Sequence, residues 1–210
     1  MNAMTMPDAA LRGASRLRIG LVADTHIPEA RKELWTQVYD AFDGCDVILH
    51  AGDVYELGVV DLLNEIAPIW VARGNGDDGS GGRPTTPDDP RLSDAWCVEL
   101  AGLRIGLTHV MPVPEMPPHW TVATACERYF PGGPRPDVVV YGDTHVEDVN
   151  IVDGVLCVNP GSPTFPHNLA CQFGTIGFLD IDDGVPSASI WQLTDDGHEP
   201  FDWTRWKRPW

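Results

Sequence analysis

Five short apolar runs in the first 145 residues each end in acidic, amide or imidazole side chains, and this repeated pairing limits the folds open to the chain. The runs cover residues 17–23, 47–49, 69–72, 104–107 and 137–141. They lead in turn to Asp24-Thr25-His26, Gly52-Asp53, Gly74-Asn75-Gly76-Asp77, His109 and Asp143-Thr144-His145. Short, β-branched apolar runs bounded by glycine and aspartate read as buried strands. Residues just past the carboxyl ends of neighbouring strands line one rim of a sheet, where α/β folds place ligands. A rim carrying Asp, His, Asp, Asn, His, Asp and His is rich in metal donors.

Two helical patterns separate the first three runs. Over 30–42, Leu34, Val38 and Phe42 share a face, and a second pattern covers 57–66 and ends before Pro68. The β-α-β-α-β order predicts a parallel sheet with right-handed crossovers. Residues 76–93, rich in Gly, Pro, Asp and Thr, read as a long loop, a feature that compact domains keep for function or motion. Residues 95–100 and 103–108 read as a hairpin, 111–118 as extended and 120–130 as a short helix. The second half reads mostly as strands, with turns at Asp153-Gly154 and Asp183-Gly184. Together these predict two stacked sheets flanked by helices. Residues 1–16 are expected to be a disordered tail before a single domain over 17–210. Within 200–210, Trp203, Trp206 and Trp210 have the spacing of one helical face, expected to dock on the chain's own domain.

A net charge of −17 argues against a nucleic-acid polymer or an anionic membrane surface as partner. A small phosphate ester remains compatible, because divalent cations reverse the sign locally. No apolar run approaches a membrane span, and the N-terminus lacks an apolar signal core, so a cytoplasmic location is expected. The five cysteines, Cys45, Cys97, Cys126, Cys157 and Cys171, form no CxxC pair and read as reduced thiols. A homo-oligomer, with the Trp-rich end as one contact, is compatible with the chain.

In Asp-x-His at a strand end, a period of two points both side chains the same way, so Asp24 and His26, and likewise Asp143 and His145, can grip one ion. The Asp53 carboxylate can bridge two cations ~3.5–4 Å apart, as in two-metal hydrolases. Asn75 adds a neutral oxygen. Mixed imidazole and carboxylate donors suit Mn, with Fe, Ni, Zn, Co or Mg as alternatives.

Several strings in this order resemble the calcineurin-like metallophosphoesterase superfamily, in its YfcE/Vps29-like phosphodiesterase subfamily. They are Ala23-Asp24-Thr25-His26-Ile27-Pro28, His50-Ala51-Gly52-Asp53, Arg73-Gly74-Asn75-Gly76-Asp77, Leu107-Thr108-His109, Tyr141-Gly142-Asp143-Thr144-His145 and Asn159-Pro160-Gly161-Ser162. The resemblance covers about residues 17–193. It implies an α/β fold, a four-layer α-β-β-α sandwich of two mixed sheets. It implies that Asp24, His26, Asp53 and His145 hold a first metal, with Asp53 bridging, and that Asn75, His109 and Asp143 complete a second site. The implied reaction is hydrolysis of a small-molecule phosphodiester by a two-metal-activated hydroxide, with Asp53, Asn75, His109 and Asp143 at the reacting centre. A phosphomonoesterase or nucleotidase on the same site, or a binding scaffold that lost the chemistry, are the alternatives.

Two departures bear on activity. Asp143 stands where relatives carry histidine, which lowers the positive charge of the site by one unit. Asp143 is read as a substitute ligand, as too short to reach the metal, or as a base. Gly76 stands where many relatives carry a histidine able to protonate the leaving group; Asp77 and His119 are candidate replacements. Residues 76–93 and 110–129 are expected to shape the pocket, with His119 and Trp120 as lining. Arg73 is read either as a source of positive potential or as structural, and His50 as structural.

Overall fold

The computed structural model describes residues 9–112, 119–168 and 173–206. Strands β1 (Arg16–Val22), β2 (Val47–His50) and β3 (Ile69–Ala72) alternate with helices α2 (Thr36–Phe42) and α3 (Leu57–Asn64), and pair in parallel, as the β-α-β-α-β pattern requires. A two-residue strand, β4 (Leu92–Ser93), closes one edge. Three antiparallel strands, β10 (Thr175–Asp182), β11 (Val185–Thr194) and β12 (Gly197–Pro200), extend the other edge to give the order β12-β11-β10-β1-β2-β3-β4. The second sheet has the order β5-β6-β7-β9-β8, from β5 (Ala95–Leu100), β6 (Leu103–Thr108), β7 (Val138–Val140), β8 (Asp148–Val152) and β9 (Val155–Asn159). Asp153-Gly154 and Asp183-Gly184 both take positive φ, the backbone that a two-residue hairpin needs.

Strand periodicity sorts the core into layers. Leu17, Ile19, Leu21 and Ala23 of the first strand face Val98, Ile105, Leu107, Val138 and Val140 of the second sheet. Alternate residues, Val22 with Ile48 and Val71, face Val38, Phe42, Val59 and Leu63 of α2 and α3. Helix α4 (Val122–Tyr129) covers the outer face of the second sheet, with Ala125 and Cys126 against Val139, Val155 and Cys157. The result is a four-layer α-β-β-α sandwich, as expected.

Four local expectations change. The tail expected over 1–16 is, in part, helix α1 (Ala9–Gly13). Leu11 packs against the inter-sheet core, and the carbonyls of Leu11 and Arg12 accept from the amides of Ala101 and Gly102 in the β5–β6 turn. Helix α2 begins only at Thr36, after turns, although Leu34, Val38 and Phe42 are all buried as the pattern required. The extended stretch expected at 111–118 lies mostly outside the described residues. Trp203 and Trp206 do not share a helical face. A 3₁₀ turn spans Trp203–Arg205, Trp203 is exposed against Phe201, and the Trp206 indole donates to the Glu147 carbonyl; Trp210 lies outside the described residues. The four described cysteines are unpaired; Cys171 lies outside them.

Leu21 is fully buried between the sheets. Leu21→Ala should therefore cost ~2–5 kcal/mol in urea unfolding with little change in the denaturant slope. A cost under ~1 kcal/mol would contradict the packed inter-sheet core.

Candidate metal centre

The chain delivers Asp24, His26, Asp53, Asn75, His109, Asp143 and His145 to one rim, where the carboxyl ends of β1, β2, β3, β6 and β7 from both sheets converge. Two overlapping groups, Asp24-His26-His145 and Asp24-Asp53-His109, each place their donor atoms within 4.8 Å of one another.

The Asp-x-His geometry differs from the extended strand expected. Strand β1 ends at Val22, and Asp24, His26, Asp53, Asp143 and His145 all take positive φ between 46° and 69°. A left-handed backbone costs a non-glycine residue on the order of 1–2 kcal/mol. Fixed hydrogen bonds hold it: Asp24 N donates to Gly52 O and His26 N to Asp53 O, each at 2.9 Å. The backbone, more than strand alternation, turns both side chains of each pair inward.

Each imidazole is anchored at Nδ1 and turns Nε2 into the cluster. His109 Nδ1 donates to Ala51 O at 2.8 Å, and His145 Nδ1 to Phe165 O at 2.7 Å. His26 Nδ1 meets the Tyr55 hydroxyl at 2.5 Å. Because a carbonyl only accepts, neutral His109 and His145 keep an Nε2 lone pair for a cation. His26 Nε2 is 3.3 Å from Asp53 Oδ2 and 3.7 Å from Asp24 Oδ1, buried and without a hydrogen-bond partner among the described residues. His145 Nε2 is 3.5 Å from Asp24 Oδ1. His109 Nε2 faces Asn75 Oδ1 at 3.2 Å, and Asp53 Oδ1 and Asp143 Oδ1 at 3.6 Å each.

Burial makes this arrangement expensive without positive charge. Asp24 is fully buried, and desolvation pushes its carboxyl well above the usual range, with Asp53 and Asp143 adding repulsion while His109 opposes. Asp53 is raised by burial too, against the pull of His109 and the Gly76 amide. Burial lowers His145 to about 3 and also lowers His26, so both stay neutral at physiological pH. At His109 burial pulls downward, but Asp24, Asp53 and the Ala51 carbonyl outweigh it and the net shift is upward. Inward lone pairs, two buried carboxylates and an orphaned Nε2 fit one or more divalent cations.

Asp143 is the least enclosed of the three carboxylates and belongs to neither three-residue group. Its backbone amide donates to Asp24 Oδ2 at 3.1 Å, while its half-exposed side chain reaches out over His109. Gly142 permits this approach, since a Cβ there would sit 2.6 Å from Asp24 Oδ2.

The surrounding residues separate into supports and bystanders. Asp77 is not a free acid: fully buried, it accepts from the amides of Val54, Tyr55 and Gly74 and from the Thr86 hydroxyl. Arg73 is structural, donating to Thr86 O and Pro87 O and pairing with Asp88, which ties down the 76–93 loop. His50 spends both ring nitrogens on Thr25 Oγ1 and the Gly52 amide. Sequence reasoning missed Tyr55. Its ring fills the space beside Gly76, where a Cβ would overlap it, and Arg83 stacks on its other side at 3.5 Å while pairing with Glu29. The Asn159-Pro160-Gly161-Ser162 string, noticed only as resemblance, is scaffolding: Asn159 Nδ2 donates to Gly142 O, and Ser162 Oγ to Asp24 O.

A cleft of about 620 Å³ opens beside Asn75 and His109, lined also by Asp78, Ser80, Ser93, Val110, Arg128 and Tyr129. Both expected loops contribute, but His119 and Trp120 are not among the lining residues. Among the described residues, no helix is long and apolar enough to cross a membrane.

A calcineurin-like phosphoesterase superfamily domain matches residues 17–184. A probable metallophosphoesterase of Methanothermobacter thermautotrophicus is 32% identical over 149 residues, 71% of this chain and 78% of that protein. A phosphodiesterase of Methanocaldococcus jannaschii is 26% identical over 177 residues, 79% of this chain and 94% of its own. Among solved structures, Vacuolar Protein Sorting 29 of Cryptosporidium parvum superposes with a TM-score of 0.69 at 20% identity, over 89% of this chain and 96% of that one. With the matched domain spanning both sheets and every residue of the cluster, the chain belongs to the calcineurin-like phosphoesterase superfamily.

Proposed function

We propose that the chain is a metal-dependent phosphodiesterase acting on a small-molecule diester at this cluster. The observation that carries the reading is the set of three anchored imidazoles whose Nε2 atoms face two buried carboxylates. Asp24, His26 and His145 would hold one divalent ion and Asn75, His109 and Asp143 a second, with Asp53 shared; manganese suits this set. Ions held there supply Lewis acidity toward a phosphoryl oxygen and a lowered pKa for a bound water.

The chain's own residues set the rest. The Gly76 amide pins Asp53 Oδ1 at 2.8 Å, which fixes the direction of the shared carboxylate. Tyr55, pushed up to about 12 by burial and by Asp53, stays a phenol; accepting from Nδ1–H, it leaves His26 a lone pair at Nε2. No histidine follows Asn75 and Asp77 is fully engaged, so leaving-group protonation is weak and good leaving groups are favoured. A binding scaffold is the second reading, favoured by the likeness to Vacuolar Protein Sorting 29 and by Gly76. The retained donor set opposes it.

Metal-stripped protein should regain hydrolysis of bis(p-nitrophenyl) phosphate on addition of Mn²⁺, and Asp53→Asn should lose ~10²-fold or more of it. No turnover by folded protein with Mn²⁺, Ni²⁺, Fe²⁺, Zn²⁺ or Mg²⁺ would move the reading to the scaffold. Metal affinity should fall with falling pH. The raised Asp24 carboxyl holds its proton into a range where free carboxylates have lost theirs, and that proton must leave, whereas His145 at about 3 does not compete. Calorimetric Mn²⁺ titrations that give equal affinities at pH 6 and 8 would contradict this. Tyr55→Phe keeps the ring against Arg83 but frees His26 Nδ1, and should weaken Mn²⁺ binding about 10-fold at unchanged melting temperature of the metal-free protein. Wild-type affinity in that variant would show that Tyr55 only packs.

A further inference from the structure

The cleft beside Asn75 and His109 contains one cation that no carboxylate engages among the described residues. Of its two arginines, Arg73 is consumed by carbonyls and Asp88. Arg128, in the last turn of α4, has no carboxylate within 4.0 Å among the described residues. Its guanidinium lies 5.5 Å from the ring centroids of both Trp120 and Tyr129, which stand edge to face at 6.2 Å. Flanking rings limit where the side chain can go without neutralising it. In a protein of net charge −17, a cleft arginine with no carboxylate partner among the described residues marks the place where a ligand's negative charge is best tolerated.

The wall between Arg128 and the metal centre is polar. Thr108, next to His109 and almost wholly buried, lines the cleft, and its hydroxyl has no partner among the described residues. Ser80, Ser93 and Asp94 line the same cleft, and Asp94 favours hydroxyl donors over a second anion at that point. The volume of about 620 Å³ is in the range of pockets for whole small molecules, far more than one phosphoryl group needs.

We infer that this cleft takes one ester arm of the substrate, and that the arm is hydroxylated and ends in a second anionic group gripped by Arg128. A nucleoside bisphosphate joined through one phosphate as a diester has this chemistry; a diester with a cationic or purely apolar arm does not. The inference rests on the phosphodiesterase reading and narrows its substrate class.

The test compares two p-nitrophenyl diesters on the Mn²⁺-loaded protein, alongside bis(p-nitrophenyl) phosphate. They are uridine 5′-(p-nitrophenyl phosphate) and the same compound bearing a 3′-phosphate, both of which keep the 2′-hydroxyl. The 3′-phosphate should raise kcat/KM about 10-fold or more, through KM rather than kcat, as a charge-assisted contact remote from phosphorus would. Arg128→Gln should bring the ratio of the two substrates to about one, and Arg128→Lys should restore part of it. Arg128 is exposed on the surface of α4, so neither variant disturbs the core. A ratio of one or less in the wild type, or a ratio untouched by Arg128→Gln, overturns the inference while the diesterase reading stands on bis(p-nitrophenyl) phosphate turnover. No turnover of any of the three diesters overturns both.

Discussion

Asp24 and Asp53 set the terms for everything around them. Two carboxylates buried at one rim repel each other and lack water, so the ionised pair requires positive charge nearby. Among the described residues, no lysine or arginine pairs with either carboxylate. Instead the fold supplies imidazoles with their Nδ1 atoms tied back and their lone pairs turned in, an arrangement completed from outside. The left-handed backbone at five of the seven donors belongs to the same design. Such conformations persist only where hydrogen bonds over-determine them. The Gly52 and Asp53 carbonyls and Asn159 do this within each sheet, while Ser162, the Asp143 amide and His109 stitch loops of one sheet to loops of the other.

That stitching explains why a two-sheet sandwich carries the site. Neither sheet holds a complete donor set. The first offers Asp24, His26, Asp53 and Asn75 after β1, β2 and β3, and the second offers His109, Asp143 and His145 after β6 and β7. Packing of Leu21 and Leu49 on Leu107 and Val140 fixes the spacing of the two rims. The inter-sheet core is therefore also the ruler for the metal centre, and the close approach of Gly142 to Asp24 shows how little slack it leaves.

The layers and the donors were legible because both depend on short-range periodicity. The apolar run over 17–23 reads as a buried strand, and the structure buries it on both faces, with Leu17, Ile19 and Leu21 in one core and Val22 in the other. Donor clusters at strand ends are visible for the same reason. What escaped were contacts between segments distant in sequence. Nothing local to Tyr55 announces that it fills the space beside Gly76, since the two are joined only by the fold. Asp77 looks like a free acid until its four donors, from three segments, are counted. At the tryptophan-rich end, the Trp206 indole reaches across the fold to the Glu147 carbonyl rather than lining a helical face with Trp203, a contact no local spacing announces.

The two departures from the family pattern are linked by charge. An aspartate at 143 and a glycine at 76 each remove a potential imidazole from the reacting side of the centre, so that side is less positive and less able to donate a proton. A centre tuned this way gains least on diesters that carry only the charge of their own phosphate. It gains most where binding energy comes from elsewhere on the substrate, because remote contacts can be spent on positioning the reacting group. Arg128, with Ser80, Ser93 and Asp94, lies in the cleft that opens from this weakened side. On the proposed phosphodiesterase reading, loss of charge at the centre and the Arg128 cation in the same cleft are one change in specificity: recognition moves from the phosphoryl group toward the arm that it carries.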